Sequence, residues 1–121
     1  MIISHIDETK IVTLPDGAYK NVKGQVLMSP ACGSDENVLR LFHVGQGGYS
    51  ANHDHPYPHY VFIVEGEGYV ELNHEKHPLK AGSYTFIPGG TQHQLVNTST
   101  TGQPLKFLCM VPVEGHIGFP E

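Results

Sequence analysis

Residues 47–66 read Gly-Gly-Tyr-Ser-Ala-Asn-His-Asp-His-Pro-Tyr-Pro-His-Tyr-Val-Phe-Ile-Val-Glu-Gly, and the reading of this stretch decides the fold. His53, His55 and His59 fall within seven positions, and an apolar run follows at once. Neutral imidazole is the commonest metal-ligating side chain, so the cluster is a candidate coordination shell. On a helix, His55 and His59 would share one face, as in zinc proteases. Pro56 and Pro58 argue against a helix, because each removes a backbone donor and breaks a helix interior. On extended chain, alternate residues share a face. The three histidines have the same parity, so a strand with a proline bend aims them at one point. The plainer alternative is a histidine-rich surface loop.

A second stretch decides between these. Residues 82–97 read Gly-Ser-Tyr-Thr-Phe-Ile-Pro-Gly-Gly-Thr-Gln-His-Gln-Leu-Val-Asn. Together the two stretches resemble the cupin motifs. The first cupin motif is G-x5-H-x-H-x3,4-E-x6-G; Gly47, His53, His55 and Gly66 stand in register, with His59 in place of the glutamate. The second is G-x5-P-x-G-x2-H-x3-N, matched by Gly82, Pro88, Gly90, His93 and Asn97 at every position. The ending Phe107–Gly115 also resembles small single-domain cupins with a four-histidine site. The resemblance implies an all-β fold, a double-stranded β-helix or jelly-roll barrel. It implies one divalent metal held by His53, His55, His59 and His93, with Asn97 a structural residue and not a ligand.

Replacing glutamate by His59 has chemical consequences. Four neutral imidazoles leave a divalent metal its full charge, which favours anionic or chelating oxygen ligands and strengthens Lewis acidity. No metal-ligating carboxylate is left to act as a base. Imidazole sets suit Fe, Cu, Ni and Zn; the resemblance favours Mn or Fe. Catalytic residues beyond the ligands are not identified from the sequence. No Gly-x-Ser-x-Gly elbow or phosphate loop competes.

The 121 residues predict one domain over 1–121. With 39% hydrophobic residues, 14 Gly and 9 Pro, the composition favours many short strands. The net charge of −5 and the scattered 7 Lys and Arg disfavour a nucleic-acid partner. Cys32 and Cys109 make no disulfide framework. The N-terminal residues do not read as a signal peptide, and no run reaches a membrane span. A cytoplasmic protein with no membrane partner is the expectation.

Strands are expected at 10–14, 18–29, 38–44, 60–64, 69–73, 83–87, 92–97 and 106–111. A loop is expected at 30–37, a turn at Gln46-Gly47-Gly48 and an exposed hairpin tip from His74 to His77. Gly47, Gly66, Gly82 and Gly90 sit where positive φ or close backbone approach is needed. His5, His43, His74, His77 and His116 are not assigned as ligands. Parity puts Val61 and Ile63 on the face of His59, and Leu95 on the face of His93. Phe107, Cys109 and Val111 share a face of the last strand, which the cupin-like topology lays beside the ligand strands. Val61, Ile63, Leu95, Phe107 and Cys109 are therefore the expected pocket lining, and Val111 is expected to add to the apolar cavity.

Tyr60, Phe62 and Val64, with Leu108 and Met110, form an apolar opposite face that wants cover, which predicts a homodimer. The expected function is metal-dependent oxidation of a small, largely apolar substrate with dioxygen or peroxide. The alternatives are redox-neutral isomerisation or cyclisation, and an effector-binding module without turnover.

Overall fold

Between the glycine and proline turns the chain is rich in Val, Ile, Thr, Phe and Tyr, which fit a pleated, half-buried surface. In the computed structural model, which describes residues 1–117 and 119, these segments form nine strands. Gly118, Pro120 and Glu121, part of the expected domain over 1–121, lie outside the described residues. The strands are β1 (Val12–Thr13), β2 (Lys20–Met28), β3 (Asn37–Tyr49), β4 (His59–Glu65), β5 (Glu67–Leu72), β6 (Glu75–Lys80), β7 (Tyr84–Ile87), β8 (His93–Asn97) and β9 (Leu105–Pro112). Single 3-10 turns lie at Ile6–Glu8, Pro30–Cys32 and Val113–Gly115.

The strands pair antiparallel in the order β6-β5-β8-β3-β9-β4-β7, with β2 also on β3 and β1 on β2. This curled sheet is the expected all-β jelly-roll architecture. Period-two burial shows which face turns inward. In β4, His59, Val61 and Ile63 are buried while Tyr60, Phe62 and Val64 are exposed. In β9 the buried residues are Leu105, Phe107, Cys109 and Val111. The core adds Val22, Val38, Phe42, Val44, Val70, Ile87 and Leu95. Burying one such side chain stabilises by about 1.5–3 kcal/mol.

Two local expectations are corrected. Gln46-Gly47-Gly48 is not a turn but part of a long β3. Val22 faces Val44 while Lys20 faces Tyr49, so β3 carries extra residues there and bulges. Gly47 takes φ 73°, and a side chain at Gly48 would strike the Lys20 and Gly45 carbonyls. The hairpin tip is likewise shorter than expected. Asn73 and His74 make the turn with φ 48° and 69°, and His77 already belongs to β6. His77 pairs with Val70, so it sits in a ladder and not on a tip. The bulge matters for function because it redirects the chain from β9 onto β8, where Tyr49 meets Val96.

Among the described residues, no helix is long and apolar enough to cross a membrane.

Candidate metal centre

Past the bulge the chain runs along β8. Ser50 N–H donates to the Leu95 carbonyl at 2.8 Å, and the Ser50 hydroxyl accepts from Leu95 N–H at 2.9 Å. His53 and His93 then exchange backbone hydrogen bonds of 3.1 and 2.8 Å. Directly opposed antiparallel residues point to the same face, so both imidazoles turn toward the interior. Pro56 and Pro58 bend the chain back, and His59 opens β4 opposite Ile87. Across that bend, Gly90 N–H donates to the His55 carbonyl at 2.5 Å. Gly89 lies so close to the Pro56 carbonyl that no Cβ would fit. The two motifs are thus locked together at one mouth of the sheet.

His55, His59 and His93 meet there, with one ring nitrogen of each within 4.8 Å of the others. His53 lines the same cavity without joining that close group. Its ring centroid is 4.2 Å from that of His55 and 6.5 Å from that of His93. The hydrogen bonds of the buried pair indicate which nitrogens face inward. His93 Nδ1 lies 2.9 Å from the Thr91 carbonyl, which can only accept, so Nδ1 carries the proton and Nε2 is left as a lone-pair donor. His59 Nδ1 lies 3.3 Å from Cys109 Sγ, and its buried Nε2 has no partner. A buried polar atom without a partner asks for an explanation. A metal ion at the three nitrogens supplies one, so this donor set fits a divalent metal.

The electrostatics agree. Burial, then the neighbouring His93 and Arg40, pushes His59 down to about 3. Burial, then His53 and His93, pushes His55 down to about 4. Burial also lowers His53 and His93. At neutral pH all four are unprotonated and able to ligate.

Behind the histidines lies a cavity of about 50 Å³. Val61, Leu95, Phe107 and Cys109 line it. Ile63 is a correction: it is fully buried and packs in the core, outside the cavity lining. Val111 is also core and not lining. Parity fixes a face but not a depth; two residues along a strand is about 7 Å.

Sequence reasoning missed Arg40, Tyr19 and the C-terminal wall of Gly115 and Ile117. Arg40 is 4% exposed and donates from Nη2 to Cys109 Sγ at 3.2 Å. Its signal was available, since it shares parity with the buried Val38, Phe42 and Val44. Burial raises the Cys109 thiol, against the pull of Arg40. His116, not assigned as a ligand, has its Nδ1 buried without a partner among the described residues. His43 is hydrogen-bonded to Gln25 at 2.8 Å, an ordinary rim histidine. Asn97 has the structural role expected. Its Nδ2 donates to the Val44 and Gln103 carbonyls at 2.9 and 3.0 Å, and its Oδ1 accepts from Ser99 N–H at 2.8 Å.

Residues 40–111, more than half of the chain, match the Cupin domain family, Cupin_2. The chain belongs to the cupin family. It is 33% identical over 96 residues to the 1-methylthio-D-xylulose 5-phosphate methylsulfurylase of Rhodospirillum rubrum. That match covers 79% of this chain but only 59% of the relative. Protein SchB of Streptomyces halstedii is 27% identical over 123 residues, covering 94% of this chain and 89% of SchB. Among solved structures, the polyketide cyclase RemF from Streptomyces resistomycificus superposes with a TM-score of 0.86 at 25% identity. That superposition covers 100% of this cupin and 82% of RemF.

Proposed function

We propose that this cupin is a metal-dependent enzyme that converts a small organic substrate without net oxidation, in the cyclase or isomerase class. The observation that carries the metal is the buried, partnerless His59 Nε2 beside unprotonated His55 and His93. His53 is the proposed fourth ligand, since it opposes His93 on one face and its ring lies 4.2 Å from that of His55. Imidazole donors accept Mn, Fe, Ni, Cu or Zn. An ion held by these histidines would supply Lewis acidity toward a carbonyl oxygen of the substrate.

The residues of the chain supply the rest. Cys109 holds His59 through Nδ1, and the Thr91 carbonyl holds His93, so the ligands need little reorganisation. Val61, Leu95 and Phe107 keep water from the reacting end. Tyr19 lines the cavity, and burial raises its phenol, so the hydroxyl stays a hydrogen-bond donor toward bound oxygen. Two observations favour redox-neutral chemistry over the oxidation expected from the sequence. Cys109 Sγ sits 3.3 Å from a ligand histidine, where an activated oxygen species would oxidise it. The likeness to a polyketide cyclase extends over the whole chain.

Deuterium exchange next to the carbonyl of a 2-oxo acid in D2O, followed under argon, tests this reading. Exchange that needs metal and is lost in His93→Ala is the expected result. Oxygen uptake in air with no exchange under argon would overturn it in favour of an oxidase. We also propose a homodimer, in which a second copy covers Tyr60, Phe62, Val64, Tyr84 and Phe86, all 46–80% exposed on neighbouring strands β4 and β7.

A further inference from the structure

Arg40 is a buried cation whose described neighbours in the cavity carry no carboxylate. Its guanidinium lies 5.0 Å from the Phe42 ring centroid and 5.9 Å from that of Phe119, so aromatic faces fix its plane. One nitrogen, Nη2, donates to the Cys109 sulfur, a weak acceptor. Nε is buried and has no partner among the described residues. Among the described residues, no ion pair involves Arg40 and no Asp or Glu lines the cavity. An unpaired buried charge is strongly destabilising, and proteins satisfy such a group with a counter-charge. Here the place for that counter-charge is the cavity that Arg40 shares with His55, His59 and His93.

We propose that Arg40 anchors the carboxylate of a small organic acid, whose reacting end reaches the histidine cluster. The choice of a carboxylate follows from charge and size. Arg40 is the one Lys or Arg among the lining residues, which matches a monoanion better than a phosphate. The cavity of about 50 Å³ is a third of one that holds benzene, which leaves room for a few heavy atoms beside a metal. Any larger part of the substrate projects through the mouth. This names the substrate class for the function proposed above and rests on it only for the reacting end. The anchor itself needs no metal.

Two measurements separate these. Unfolding midpoints of the protein, as purified and after chelation, are compared in acetate, acetamide and inorganic phosphate at equal ionic strength, alongside elemental analysis. Acetate should stabilise both forms and acetamide should not. In Arg40→Met, acetate affinity should fall about ten- to a hundredfold while metal content is unchanged. If metal is absent but the acetate preference and its loss in Arg40→Met persist, the anchor stands and the metal reading fails. Equal response of the wild type to acetate and acetamide overturns the anchor, and this arm needs no variant to fold. A preference for phosphate over acetate overturns the assignment to a carboxylate.

Discussion

Acidification of the metal-free protein from pH 7 to pH 5 should cost about 2 kcal/mol of stability through His59 alone. His59 is 8% exposed, and in the folded chain its pKa lies at about 3 against 6.5 for a free imidazole. Below pH 6.5 the unfolded chain takes up a proton that the folded chain refuses. Stability is therefore complete above about 6.5 and is lost as pH falls toward about 3. Each pH unit in that window is worth about 1.4 kcal/mol, and pH 5 lies about 1.5 units inside it. His93 and the more exposed His55 act in the same direction. Urea unfolding of chelated protein at the two pH values measures the loss, and His59→Asn should shrink it by about 2 kcal/mol. The same depression has a second consequence. Protons do not compete for His59 or His55 until pH approaches about 4, so these two donors should remain available to a metal between pH 7 and 5. Stability equal at pH 7 and pH 5 would refute the reasoning, because it would mean these imidazoles charge freely in the folded state.

Cys109→Ala removes the sulfur that both Arg40 and His59 contact; it should cost about 1–3 kcal/mol and weaken metal binding about 10- to 100-fold in a chelator competition. Gly89→Ala places a methyl against the Pro56 carbonyl and should displace the bend that carries His55. Metal content should drop while the circular dichroism of the sheet is retained. Light scattering should give a dimer, and Phe62→Glu, in the middle of the exposed apolar face, a monomer; a monomeric wild type would dismiss that interface.

Much of the site was legible in the sequence because its signals are local. The spacings around His53, His55 and His59, and around His93, sit within single turns or strands. Gly66, Gly82 and Gly90 take φ of 90°, 93° and 81°, a backbone that the motif reserves for glycine. Parity placed Val61, Leu95, Phe107 and Cys109 on the cavity side because a strand alternates faces whatever its partners. The long β3 was harder, since Gly45 to Gly48 reads as a turn and only pairing with β2 makes it a bulged strand.

The motif spacings and the alternation of residues were enough to name the family, the strand faces and four candidate ligands. Which histidines close on one another, how deep each lining residue sits, and what charge the cavity contains depend on how the strands pair. Ile63 shares the face of Val61 but lies one pleat deeper, beyond the cavity. Arg40 meets Cys109 across 69 residues of chain, through the pairing of β3 with β9. A periodicity of two carries no information about depth or about the partner across the sheet. Those follow from register and closure, which bring His59 and His93 to one end of the sheet and set beside them a guanidinium that has no ion-pair partner among the described residues.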